Sequence, residues 1–230
     1  MIERRIIVAL DVSDAASLEQ VVFAIPPEVC RLKIGKELFT ALGPRSVEIC
    51  HRAGHEVFLD LKFHDIPNTC AMAVRAAARL GVWMINVHCS GGGDMLQAAS
   101  DVLMGESHRP LLVGVTVLTS MDSESLREVG VLRSVEDQVC AFAALASDAG
   151  LDGLVCSAKE AFDLRALYDA DFCLVTPGIR PAWAAANDQL RVATPHEAIV
   201  AGSDYLVIGR PITQAKDPRA ALDRIIRELG

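Results

Sequence analysis

Eight short apolar runs, each separated from the next by enough chain for a helix, constrain this sequence more than any other feature. They are Ile6 to Leu10, Cys30 to Ile34, Val57 to Leu61, Trp83 to Val87, Leu111 to Val117, Gly153 to Cys156, Phe172 to Val175 and Tyr205 to Ile208. The runs are rich in β-branched residues and almost continuously hydrophobic, the mark of strands buried on both faces, as in a parallel sheet. Helix punctuation fills the intervals. Ser13 or Asp14 can cap Ala15 to Ala24, and Pro44 stands at a first helical position with Gly54 as the stop. Thr69 can cap Cys70 to Leu80 ahead of Gly81, and Gly150 follows Asp137 to Ala149. A βα unit repeated eight times closes most economically into a TIM (β/α)8 barrel, an α/β fold. An open doubly wound sheet would show a Gly-rich fingerprint after the first run and a break between halves, and the sequence has neither. With 230 residues, the barrel is expected to occupy 1–230 as a single domain.

Composition narrows the function. The chain is 51% hydrophobic and 23% charged, enough apolar material for a large core. Its formal net charge of −8 has the wrong sign for a nucleic-acid partner, although a few placed Arg and Lys residues can still bind a small anion. No stretch approaches the length of a membrane span, and the run Ile6 to Leu10, stopped by Asp11, is too short for a signal peptide. A cytoplasmic location is expected. The seven cysteines include no C-x-x-C pair and read as small reduced core residues. His51 and His55 are spaced i, i+4 without the H-E-x-x-H pattern, and read as a helix-face pair without a metal.

In such a barrel the catalytic side chains sit at the C-terminal ends of the strands, so the polar residues that end the apolar runs locate the active face. They are Asp11, Lys33, Asp60 with Lys62 and Asp65, Asn86 with His88, Thr119 with Ser120, Ser157, Arg180, and Gly209 with Arg210. Two long connections, Ser120 to Glu136 and Pro177 to Pro195, lie on the same face and read as lids or binding loops. Asp60 and Lys62, two residues apart, share one face of a strand. An isolated pair of this kind reads first as a structural ion pair. With Lys33 and Asp65 it becomes an alternating network of ammoniums and carboxylates, and Lys62 becomes a candidate general acid able to hold a proton beside a developing carbanion.

Gly178-Ile179-Arg180 and Ile208-Gly209-Arg210 follow the seventh and eighth runs, where TIM barrels commonly bind phosphate with loop amides and a short helix. Pro211 suits the first turn of that helix. Together these point to a phosphate monoester. Gln189, in the connection between them, is an uncharged donor that could reach the same group when the loop closes, though taken alone it reads first as a surface glutamine.

On these residues the chain resembles the bacterial orotidine 5′-phosphate decarboxylase family. The resemblance runs through Leu10-Asp11, Lys33-Ile34-Gly35, Asp60-Leu61-Lys62-Phe63-His64-Asp65-Ile66-Pro67-Asn68-Thr69, Val117-Leu118-Thr119-Ser120, Thr176 to Pro181 and Ile208 to Pro211. It implies a cofactor-independent carboxy-lyase that turns orotidine 5′-monophosphate into uridine 5′-monophosphate and carbon dioxide, the last step of de novo synthesis of that nucleotide. It further implies a homodimer with sites at the interface. Lys62 is then the proton donor, Asp60 lies beside the reacting carboxylate, and Lys33 and Asp65 complete the charge network, with Asp65 and Thr69 reaching the neighbouring subunit's site. Asp11 and Lys33 would contact the ribose, Thr119 or Ser120 the pyrimidine, and Arg180, Gln189, Gly209 and Arg210 the phosphate. The departures lie mostly in the lid, where Trp183 and the alanines 184 to 186 replace an expected polar or Gly-rich stretch.

Two competitors remain at this level. A magnesium-dependent keto-sugar-phosphate decarboxylase or aldolase would share the barrel and D-x-K-x-x-D, but wants a carboxylate where this chain has Lys33, Glu37 being the only nearby acid. A non-catalytic sensor of a phosphate ligand would have no use for Lys62.

Overall fold

The computed structural model describes residues 4–184 and 193–229. Eight parallel strands close into a barrel in chain order: β1 (Ile6–Leu10), β2 (Cys30–Gly35), β3 (Val57–Phe63), β4 (Met84–His88), β5 (Leu111–Val115), β6 (Gly153–Val155), β7 (Cys173–Thr176) and β8 (Tyr205–Ile208). β1 pairs with both β2 and β8, so the sheet has no edge. All eight expected runs are strands, though the fifth stops at Val115 rather than Val117.

The continuous hydrophobicity follows from two cores on opposite faces of one sheet. Ile7, Ala9, Phe58, Met84, Val113, Val175 and Val207 fill the barrel interior. Their neighbours Ile6, Val8 and Leu10 point outward against the helices. β6 and β7 approach so closely that a Cβ on Gly153 would lie 2.1 Å from the Cys173 carbonyl oxygen, so only glycine fits there. The N-terminal mouth is plugged. Arg31 stacks 4.0 Å from the Trp83 ring and 5.3 Å from that of Tyr205, while its Nε donates to Glu56 at 2.7 Å. The C-terminal mouth is left as the open end.

The helices are α1 (Ala15–Ala24), α2 (Lys36–Leu42), α3 (Arg45–Arg52), α4 (Pro67–Ala78), α5 (Gly93–Asp101), α6 (Ser123–Glu128), α7 (Val135–Asp148), α8 (Ala158–Leu167), α9 (Pro195–Val200), α10 (Arg210–Thr213) and α11 (Pro218–Glu228). Asp14, rather than Ser13, caps α1 by accepting from the Ser17 amide at 2.9 Å. Thr69 is not a cap: α4 starts at Pro67, whose fixed φ and missing N–H suit a first turn, and Thr69 is the third residue of that turn. α7 starts two residues earlier than expected because Ser134 caps it. His55 lies beyond the end of α3, so it shares no helix face with His51. It is buried, and its Nε2 donates to the Ile25 carbonyl at 3.0 Å. All seven cysteines are free thiols, and six are buried. Among the described residues no helix is long and apolar enough to cross a membrane.

Candidate active site

Asp60 anchors the site at the end of β3. It is 8% exposed, and three donors converge on its carboxylate. Lys33, on the neighbouring β2, places Nζ 3.1 Å from Oδ2; Lys62 Nζ lies 2.5 Å from Oδ1; and Asn86 Nδ2 donates to Oδ1 at 2.6 Å. Burial pushes the Asp60 carboxyl up, but the Lys33 and Lys62 ammoniums and the hydrogen bonds from Lys62 and Asn86 together hold it below the ordinary carboxylate value. Asp60 is therefore a fixed negative charge between two fixed positive ones.

Simple strand alternation does not bring Asp60 and Lys62 together. Leu59 pairs with Ile85 and Phe63 with Val87, so residues 60 to 62 bulge opposite Asn86 alone. Within the bulge Lys62 adopts φ 52°, the one non-glycine positive φ among the described residues. For a residue with a Cβ that conformation costs about 1 to 3 kcal/mol, and such strain gathers at functional sites. The bulge turns the Lys62 side chain back onto Asp60.

Two contiguous hollows open around this group and share Lys33, Asp60, Pro177 and Val207. One, of about 150 Å³, is lined by Lys62, Thr119 and largely apolar neighbours such as Phe58 and Val155. The other, of about 430 Å³, is lined by Asp11, Gly178, Arg180, Gly209 and Arg210. Arg180 is buried, with Nη1 donating to the Ile179 carbonyl at 2.9 Å. Gly209 precedes α10, and a Cβ there would meet Asp11 Oδ2 at 3.1 Å, so a side chain at 209 would crowd this end of the hollow. The arrangement is a half-apolar slot beside a fixed ammonium, continued by a basic cradle. It suits a flat ring carrying a phosphorylated arm.

A family model described as "Orotidine 5'-phosphate decarboxylase / HUMPS family" matches residues 4–225. The chain belongs to this family. The orotidine 5′-phosphate decarboxylase of Hahella chejuensis is 56% identical over 225 residues, 98% of this chain and 97% of that protein. That of Hydrogenovibrio crunogenus is 55% identical over 226 residues, 98% and 96% of the two chains. The crystal structure of orotidine 5′-phosphate decarboxylase from Lactobacillus acidophilus superposes with a TM-score of 0.87 at 38% identity, covering 99% of each chain.

Within this member of the orotidine 5′-phosphate decarboxylase family, the expected site residues divide into three groups. Lys33, Asp60, Lys62, Asp11, Thr119, Arg180, Gly209 and Arg210 line the joined hollows. Ser120 is exposed, and it is Thr119 that faces the slot. Asp65 and Thr69 are exposed and stand outside the hollows of their own chain, Asp65 accepting from the Ile66 amide at 2.7 Å. Gln189 lies outside the described residues. Among the described residues no group of three or more His, Cys, Asp or Glu is placed to hold a metal ion, and Glu37 is exposed on α2.

Asn86 emerges as a contact that its position in the sequence only hinted at. Its signal was an amide inside the apolar run Trp83 to Val87, and it is fully buried. Trp183 has a structural reason for its place in the connection that follows β7. Its Nε1 donates to Glu228 at 2.7 Å and the Arg224 guanidinium lies 4.5 Å from its ring, docking it onto α11.

His88, at the end of β4, carries a testable pH dependence. Burial pushes its pKa down to about 4, helped by the neighbouring His64, Lys62 and Lys36 and opposed by Asp60. The unfolded chain thus takes up this proton first, so stability is intact above the ordinary 6.5 and erodes as pH falls toward about 4. Burial moves His51 and His55 in the same direction. Allowing for partial exposure, His88 should account for about 2 kcal/mol of that loss. Urea unfolding at about pH 7 and about pH 5 should show a smaller difference in His88→Asn than in the native chain. Equal differences would remove His88 as a cause.

Proposed function

We propose that this chain decarboxylates orotidine 5′-monophosphate to uridine 5′-monophosphate, the last step of de novo synthesis of that nucleotide, with Lys62 as proton donor. The observation that carries the reading is the Lys33–Asp60–Lys62 charge alternation set in a slot continuous with the Arg180 and Arg210 cradle.

Breaking the bond from C6 to the carboxylate leaves its electron pair in the ring plane, where the ring π system gives it no resonance. Stabilisation has to be electrostatic, and a preorganised ammonium needs no reorganisation as the charge forms. Lys62 Nζ supplies that charge, then transfers a proton to C6 and regains one from solvent. Asp60 holds Lys62 in place and sets a negative charge beside the departing carboxylate. Asp11 and Lys33 take the ribose hydroxyls and Thr119 the pyrimidine. The phosphate binds Gly209, Arg210 and Arg180 with Gln189, and its binding energy favours closure of the connection from Pro177 to Pro195.

The charges are all supplied by side chains, so the proposed reaction uses no metal or cofactor. With Lys33 and Lys62 both on Asp60, a divalent cation there would face two ammoniums. The reading extends to a single catalytic domain over 1–230 and a cytoplasmic homodimer, with substrate and product as small-molecule partners and no nucleic-acid or membrane partner. Asp65 and Thr69 would complete the partner's site. Their exposure beside Ile66, 68% exposed, and Met72, 37% exposed, supports a second copy covering the start of α4.

The test is the ultraviolet absorbance change of orotidine 5′-monophosphate with metal-stripped protein in excess chelator. Conversion to uridine 5′-monophosphate is expected. Folded protein that converts none, but acts on a keto-sugar phosphate once magnesium is restored, would overturn the assignment.

A further inference from the structure

We infer that Asn86 is a positioning residue for the decarboxylation proposed above: it ties the Lys62 main chain to the Asp60 carboxylate and so fixes where the Lys62 ammonium stands. Three residues of β3, from 60 to 62, face one residue of β4, so the backbone ladder cannot satisfy every group in the bulge. Asn86 supplies the missing rung with its side chain. Oδ1 accepts from the Lys62 amide at 2.8 Å, and Nδ2 donates to Asp60 Oδ1 at 2.6 Å. The residue it holds is the one non-glycine residue with positive φ among those described. A left-handed lysine stays in place only when its surroundings over-determine it.

The two contacts need a neutral acceptor and a neutral donor on one short side chain. Aspartate, when ionised, offers the acceptor but has no proton for Asp60, and adds a like charge to it. Leucine has nearly the same shape and offers neither. Only an amide of this length makes both contacts while leaving the charges at two ammoniums and one carboxylate. Asn86 is fully buried and absent from the residues lining either hollow, so it acts through Lys62 and Asp60 without touching substrate.

The test combines steady-state kinetics with the backbone amide signal of Lys62 in 15N-labelled protein, for the native chain, Asn86→Leu and Asn86→Asp. In Asn86→Leu, kcat should fall about 100-fold, the scale of a misplacement of roughly 1 Å at a reacting group, with KM within about threefold of native. The Lys62 amide should shift and lose protection from hydrogen exchange. Asn86→Asp should recover kcat as pH falls, because its protonated carboxyl again offers one donor and one acceptor. Burial and Asp60 favour that protonated form, and the Lys33 and Lys62 ammoniums on Asp60 oppose it. An acid introduced at a position that did not hold Lys62 and Asp60 would leave the pH profile of kcat parallel to the native one.

Native kcat in Asn86→Leu, or an Asn86→Asp profile parallel to the native one, would overturn the inference. If Asn86→Leu does not fold, the Asn86→Asp profile decides alone. If the native chain leaves orotidine 5′-monophosphate unchanged, the functional reading fails separately, and an unperturbed Lys62 amide in Asn86→Leu would still overturn the positioning role.

Discussion

Lys62→Ala should lower the rate of carbon dioxide loss by at least about 10⁴-fold, because in the proposed mechanism one substitution removes both the charge that stabilises the carbanion and the acid that quenches it. Affinity for uridine 5′-monophosphate should change by less than about tenfold, since the proposed phosphate cradle is built on the β7 and β8 ends and retains Arg180 and Arg210. Single-turnover absorbance with enzyme in excess, together with product titration, separates the two effects. A Lys62→Ala rate within about tenfold of native would end the role of Lys62 as proton donor. Lys62→Gly sharpens the comparison. Glycine adopts φ 52° without steric strain, so Lys62→Gly should be more stable than Lys62→Ala by about 1 kcal/mol in urea and equally inactive. That pattern would show a backbone strained in order to place an ammonium, with the strain removable only along with the charge.

The sequence made the barrel legible because a parallel sheet buried on both faces leaves near-continuous apolar runs, and the residues that end them mark the open mouth. Lys33, Asp60, Lys62, Arg180 and Arg210 could be assembled from that rule alone. What stayed hidden depends on departures from regular geometry. The period-two argument placed Asp60 and Lys62 on one face, whereas a bulge and a left-handed lysine bring them together. No local pattern announces a bulge, because it is set by how many residues the neighbouring strand offers. Asn86 stood among the polar residues of the open mouth, but its role was hidden for the same reason: an amide in a strand gains its meaning from the rung it replaces. Thr119 and Ser120 could not be separated in the sequence, since the strand ends at Val115 and the irregular backbone beyond it decides which hydroxyl faces the slot. Trp183 looked out of place in a lid because its partners, Arg224 and Glu228, lie on the last helix, far away in the chain.

Mixing two inactive variants, Lys62→Ala and Asp65→Ala, should restore about a quarter of native activity. Asp65 is exposed and accepts from the Ile66 amide at the start of α4, while Lys62 lies back against Asp60. If Asp65 serves a neighbour, each site takes Lys62 from one subunit and Asp65 from the other. A mixed dimer of the two variants then holds one site with both residues and one with neither. Random exchange makes half of all dimers mixed, and half of their sites are whole, which gives the quarter. Each variant alone should stay inactive at any concentration, and recovery should follow the rate of subunit exchange. Exchange can be tracked independently by mass spectrometry of subunits carrying different isotope labels. Activity absent after exchange is complete would mean that Asp65 and Lys62 serve the same chain, and the apolar start of α4 would then need a different explanation. Ile66→Lys gives a check of that surface: a lysine at a 68% exposed position costs the folded chain little, yet buried between two copies it should weaken the dimer and the activity together.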